Sequence, residues 1–171
     1  MANNNAQSDD AKTRSLPPLV GSIQEGKVSW KGIEGVDFEL LGYFLSCHLV
    51  IEHYMDEFLK TRYPDLDWDA AKPTFTQRVA LVKDMDLPDR FNCMPAIKHL
   101  NAIRNKLGHR INFKIDDETL LPLKHFVQKA FDGQAPPSEV KELLEKFATM
   151  CCAIFGGAIS RTAHDTRHTR P

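Results

Sequence analysis

The sequence predicts an all-α protein, an antiparallel bundle of four to five helices. Three observations lead there. Apolar residues recur at helical spacing in five separate stretches. Proline, glycine and aspartate punctuate the gaps between them. Neither an internal repeat nor a series of alternating strands is present. Helices joined by short connections bury their apolar stripes by packing antiparallel around one core.

Residues 1–34 read as a flexible leader. It begins polar (Asn3, Asn4, Asn5, Ser8, Asp9, Asp10) and is then broken by Pro17, Pro18, Gly21, Gly26 and Gly32. The folded domain spans 35–160. Its first helix runs from Asp37, a suitable N-cap, to about Arg62 and is expected to be the longest. Its stripe is Phe38, Leu41, Leu45, Leu49, Met55, Phe58 and Leu59, widened by Phe44, Ile51 and Tyr54. Pro64 and the aspartates at 65, 67 and 69 end it. A second helix covers Thr74 to about Met85, with Phe75, Val79 and Val82 on one side. A third starts near Pro95, carries Ile97, Leu100, Ile103 and Leu107, and runs to about Gly108. Ile111–Ile115 alternates and reads as extended. A short helix from about Pro122 to Phe131 is stopped by Asp132-Gly133. Pro136-Pro137-Ser138 opens the last helix, whose stripe of Val140, Leu143, Leu144, Phe147, Met150 and Ile154 runs to about Ser160. Most of these apolar residues are core, Phe38, Phe44, Phe58, Phe147 and Met150 included. Residues 161–171 read as a flexible basic tail.

The 171 residues suit one domain. Apolar residues make up 42% and charged residues 26%, as in globular proteins, which excludes collagen-like and wholly disordered classes. The 22 Lys and Arg nearly cancel the 23 Asp and Glu, which excludes binding of nucleic acid through overall positive charge. The sum conceals an asymmetry. Glu34 to Asp69 holds nine acidic residues and only Lys60 and Arg62 as bases, whereas Arg90 to Ile115 holds six bases and no acid. If the two helices pack together, their charges compensate and an anion is left one small basic cleft. Cys47, Cys93, Cys151 and Cys152 lack C-x-x-C spacing and read as reduced, buried thiols. No apolar run approaches the ~18 residues of a membrane span, and the N-terminus lacks a signal-peptide shape. The expectation is a cytoplasmic protein without membrane partners.

The segment that stands out is Arg104-Asn105-Lys106-Leu107-Gly108-His109, at the end of the basic helix. Asn105 and His109 are four apart and share a helix face. Arg104 and His109 are five apart and diverge by about 140° in a straight helix. They converge only if the helix ends between them, for which Gly108 is suited, or if both line a cleft made with another surface. A neutral imidazole serves as a general base near pH 7, and a guanidinium holds a phosphate. The same residues also simply complement a helix dipole. On the first helix, His48 and Glu52 are four apart. A glutamate in so apolar a helix needs a partner. Either it faces Arg104 or His109, with or without His48, and tunes them, or it is a structural, solvent-facing residue. The inverted zincin order H-x-x-E-H is not met, so no metal or cofactor is expected.

The Arg104–His109 segment resembles the R-x4-6-H signature of the HEPN superfamily, in the form where Asn follows the Arg. His48-Leu49-Val50-Ile51-Glu52-His53 and its surroundings resemble the first long helix of mannitol-repressor-like HEPN proteins, and the later helices come in the matching order. The resemblance covers roughly 37–160. It implies an all-α homodimer, and for many members a metal-independent endoribonuclease acting in toxin or defence systems, with RNA as substrate and an antitoxin or regulatory protein as a further partner. Two copies of the motif would face each other across the dimer. His109 would move the 2′-hydroxyl proton, Arg104 would stabilise the pentavalent phosphate and Asn105 would orient either; Glu52 and His48 would support. The tyrosine two places after the histidine that marks one toxin subgroup is replaced by Ile111. The mannitol-repressor-like branch implies an alternative, a non-catalytic regulator or protein-interaction module.

Overall fold

The computed structural model describes residues 20–30, 36–82, 85, 87–109 and 113–168, with only the backbone described at 163 and 165–168. The chain divides into two compact units, Met1–Val36 and Asp37–Pro171. The described residues hold six α-helices and one two-stranded sheet.

The sheet lies within the segment expected to be an unstructured leader. Strands β1 (Val20–Gln24) and β2 (Lys27–Trp30) pair antiparallel. Glu25 and Gly26 both take left-handed backbone, with φ of 49° and 77°. A two-residue turn of that kind matches the twist of the strands it joins. The register is regular from Gln24↔Lys27 to Ser22↔Ser29 and shifts between Val20 and Ser22, so that Val20 comes opposite Trp30. The sequence signal is a Glu-Gly pair between two short runs, masked by the glycines around it. The rest of the leader, 1–19 and 31–35, lies outside the described residues.

The second unit starts with α1 (Phe38–Arg62), which Asp37 caps by accepting from the Leu40 N–H at 2.9 Å. A short α2 (Trp68–Ala71) comes next, capped by Asp67. Helix α3 (Phe75–Leu81) begins with a capping box: Thr74 accepts from the Gln77 N–H, and the Gln77 side chain accepts from the Thr74 N–H. It ends short of Met85. A single 3₁₀ turn (Asp89–Phe91) leads to α4 (Met94–His109) and then to α5 (Leu121–Ala130). Asp132 and Gly133 stop α5 with φ of 51° and 88°, as expected of an Asp-Gly pair there. Of the stretch expected to be extended, 111–112 lie outside the described residues and Phe113–Ile115 belong to no strand. Helix α6 (Val140–His168) passes Ser160, enters the expected tail, and is longer than α1. Arg161 and Thr162 are polar but break nothing, and the Thr162 hydroxyl donates back to the Ala158 carbonyl.

The core is made by α1, α4, α5 and α6, with Val79 and Val82 added from the α3 region. Neighbours joined by short connections run antiparallel: Lys129 near the end of α5 pairs with Asp89 in the 3₁₀ turn before α4, while His99 of α4 meets the carbonyl of Thr119 just before α5. The largest helix pair does not. Glu39 meets Lys141, Tyr43 meets Glu145 and Tyr54 lies against Gly156, so α1 and α6 run parallel with a constant offset. The connection between them is most of the domain, and it leaves their direction free. Three residues of the expected apolar stripe, Phe38, Leu49 and Tyr54, are 61%, 63% and 37% exposed. The stripe through 38, 41, 45 and 49 is the wrong row of α1. The buried row is Phe44, Cys47, His48, Ile51, Met55, Phe58 and Leu59.

One expectation about membranes also fails. By length and composition, Val140–Thr162 is apolar enough to cross a bilayer. In the fold it is a core helix that buries Leu143, Leu144, Phe147, Ala148, Cys151, Phe155 and Ala158.

Candidate functional site

The two flanks of α1 each border a concavity. One is a polar cavity of about 240 Å³ lined by His48 and Glu52 of α1, Thr74, Phe75 and Thr76 at the start of α3, and Asn101, Arg104 and Asn105 of α4. Helical spacing assembles it: 48 and 52 are one turn apart, and 101, 104 and 105 occupy one face of α4. Four of the five residues singled out from the sequence, His48, Glu52, Arg104 and Asn105, therefore meet in one place. His109 does not line the cavity.

Among the described residues His48 is the polar side chain buried in the core, at 4% exposure. Its ring stacks on Phe75 with centroids 5.3 Å apart. Nε2 lies 3.2 Å from Asn101 Oδ1, so with the amide in this orientation Nε2 carries the proton. Nδ1 is then an acceptor, 3.7 Å from Glu52 Oε2. Burial lowers the pKa of His48, and the Arg104 charge adds to that. The Glu52 carboxylate and the Asn101 hydrogen bond oppose the shift without cancelling it. The surroundings of His48 thus favour its neutral form, burial above all.

Glu52 does not pair with Arg104 or His109. Its Oε1 is bound by Nη1 of Arg78 on α3. Arg78 Nε also lies 2.9 Å from Asp56 Oδ1, one turn further along α1, although off the hydrogen-bond direction for both atoms. Burial raises the pKa of Asp56 against the pull of the Arg78 charge. The acids of α1 are therefore balanced by α3, by α6 through Glu39–Lys141, and by their own helix through Glu57–Lys60. Among the described residues none is paired with α4, and Glu52, the acid that borders the α4 cavity, is taken by the single arginine of α3. Sequence reasoning misses Asn101, Phe75, Thr74 and Thr76 as cavity residues, and Arg78 as the partner of Glu52. Asn101 has a signal, since it lies three residues before Arg104 on the same face.

Arg104 and Asn105 are exposed, and Arg104 Nη1 donates to Asn105 Oδ1 at 3.3 Å. Among the described residues Arg104 has no acidic partner. Helix α4 continues through Gly108 to His109, which is also exposed. Gly108 thus does not end the helix between the two motif residues. Arg104 and His109 therefore point about 140° apart around one continuous helix.

The other flank of α1 borders an open groove of about 640 Å³, whose lining includes Tyr43, Val50 and Tyr54 of α1 and Ala153, Gly156 and Gly157 of α6. Its one charged lining residue is Glu145, whose Oε2 accepts from the Tyr43 hydroxyl at 3.2 Å. All four cysteines are free thiols, three of them buried. Burial, aided by Glu145 and Cys152, pushes Cys47 up to about 11, so it is an unreactive thiol. Among the described residues no three His, Cys, Asp or Glu side chains converge as metal ligands. The chain matches no protein-family model, no curated protein and no solved structure.

Proposed function

We propose that this chain is a HEPN-like endoribonuclease that needs no metal and acts at a site composed across a homodimer. The observation that carries the reading is Arg104: an exposed guanidinium without an acidic partner among the described residues, at the edge of a polar cavity and followed by Asn105. A guanidinium left free in this way suits a phosphate, and suits better the extra charge that phosphate gains in an in-line displacement. His109 of one copy would remove the proton of a ribose 2′-hydroxyl. That oxygen attacks phosphorus, the bond to the 5′-oxygen breaks, and an imidazolium returns the proton to the leaving oxygen. The products are a 2′,3′-cyclic phosphate and a 5′-hydroxyl. The continuous α4 supports the composite site, because Arg104 of one copy and His109 of another can meet where those of one chain do not.

The test is purified protein incubated with mixed RNAs in EDTA, beside His109→Ala. The expected result is cleavage that leaves cyclic phosphate ends and falls at least ~100-fold in the variant. No cleavage by the wild type, or equal cleavage by both, sinks the nuclease. A monomer by light scattering at micromolar concentration sinks the composite site.

The apolar groove between α1 and α6 favours a second reading, a non-catalytic regulator or protein-interaction module of the same fold. A protein that dimerises but leaves RNA intact points to it.

A further inference from the structure

We propose that Arg78 is a positioning residue that keeps Arg104 free by occupying Glu52. The inference deepens the nuclease reading, and one arm of its test does not depend on that reading. It starts from a conflict of charges. Glu52 and Arg104 line the same small cavity, one from α1 and the other from α4. A carboxylate and a guanidinium in a shared, part-buried cavity attract each other, and the planar fork of arginine fits a carboxylate well. An ion pair there would fill the donors that a phosphate needs. The structure holds them apart. Glu52 Oε1 is bound by Arg78, and Arg104 turns to the Asn105 amide oxygen instead.

The groups that face Glu52 decide the outcome of removing Arg78. On α1 they are His48, with Nδ1 at 3.7 Å, and Asp56 one turn on. From α3 comes Arg78 itself, with Phe75 stacked on His48. From α4 come Asn101, Arg104 and Asn105 around the shared cavity. Asp56 repels Glu52 and becomes unbalanced too. His48 is a poor substitute partner, because burial and the Arg104 charge both disfavour its protonation. Among the described residues that line the cavity, the remaining cation is Arg104. Without Arg78, Glu52 captures it, and the site carries an inhibitor built from its own wall. Arg78 thus acts on the site through Glu52 and touches no reacting atom.

A double-mutant cycle separates this role from a merely structural one. The four proteins are wild type, Arg78→Met, Glu52→Gln and the combination. RNA cleavage is expected to fall about fivefold in Arg78→Met, the occupancy of a part-exposed ion pair. The combined variant is expected to cleave as Glu52→Gln does, since the captor is gone. Arg78→Lys, which keeps the charge, stays close to wild type. Equal losses from Arg78→Met in both Glu52 backgrounds, or no loss in either, overturn the proposal. The second arm needs no RNA: the Nε–Hε NMR resonance of Arg104, assigned by its disappearance in Arg104→Lys. Arg78→Met is expected to shift it and slow its exchange, and to do neither in the Glu52→Gln background. A resonance that ignores Arg78 overturns the proposal even where RNA is cut. A resonance that behaves as expected in a protein that cuts no RNA upholds it and removes only the nuclease. Arg78→Gln, which loses the charge but keeps a donor, serves the same cycle should Arg78→Met not fold.

Discussion

The two flanks of α1 are built on the same helix and point about 160° apart, yet they obey opposite rules. The flank toward α3 and α4 carries His48, Glu52 and Asp56, and its polar atoms are drawn into contacts with Asn101 and Arg78. The flank toward α6 carries Tyr43, Val50 and Tyr54 over small residues, and its apolar surface is left partly open. On the first flank polar groups buried at a cost are held by partners, and the charge left over, Arg104, is what makes the cavity chemically interesting. On the second flank apolar groups exceed what the core can cover. Reactive chemistry belongs to the first kind of surface and packing against another apolar surface to the second.

The seam beneath the groove separates the flanks and is where the largest stability effect is expected. Phe155 of α6 is fully buried, with its ring 6.0 Å from that of Phe58 on α1. Phe155→Ala should cost about 3–5 kcal/mol in urea unfolding, through lost transfer energy and the void left behind. Tyr54→Ala, at the open wall and 37% exposed, should cost far less. A cheap Phe155→Ala would mean that the seam is loose, and that the parallel α1–α6 pair does not fix the two flanks in place.

His48 gives the next effect, and it belongs to the polar flank. Its folded pKa lies below the ordinary 6.5, through burial first. The unfolded chain therefore takes up a proton that the folded chain refuses. The stability this represents is fully present above pH 6.5 and drains away as pH falls toward the folded value. The slope is at most about 1.4 kcal/mol per pH unit. His48→Gln should flatten the acid limb of a stability–pH profile measured between pH 8 and 5. An unchanged limb would show that His48 is readily protonated in the fold, its Nδ1–H bonded to Glu52, and the cavity would then carry one more positive charge.

How much of these flanks is legible in the sequence depends on the range of each signal. Caps and stops are local, so Asp37 and Asp132-Gly133 are legible. Four of the five cavity residues on α1 and α4, His48, Glu52, Arg104 and Asn105, are legible because helical spacing sets which residues share a face. Their partner Arg78 is not. It is one arginine on a seven-residue helix, and only the packing of α3 against α1 reveals that it meets two acids. The buried row of α1 is hidden in its first half because Phe38, Leu41, Leu45 and Leu49 repeat as regularly as Phe44, Cys47, Ile51 and Met55, and periodicity alone does not choose between two apolar rows. The parallel run of α1 and α6 is a tertiary fact with no local signal. Whether Arg104 and His109 share a substrate has no local signal either, since helical spacing alone sets them on different faces of α4.

The smallest expected effect tests whether the apolar flank is a free surface. Gly156 and Gly157 sit inside α6, where glycine costs about 0.5–1 kcal/mol relative to alanine through the freedom it loses on folding. A Cβ at Gly157 would meet nothing within 4 Å, and one at Gly156 would touch Tyr54 Cε1 at an ordinary 3.9 Å. On a free groove wall, then, Gly157→Ala has only the helix term to show, and stability should rise by about 0.5–1 kcal/mol in urea melts with no change in oligomeric state. If instead a second copy packs its own helix closely against this wall, the added methyl has no room in the assembly. Stability would then fall with dilution, or the dimer would dissociate, and the partly open flank would be an interface that the isolated chain only half displays. The sign of one methyl group thus decides whether the second flank of α1 is wall or contact.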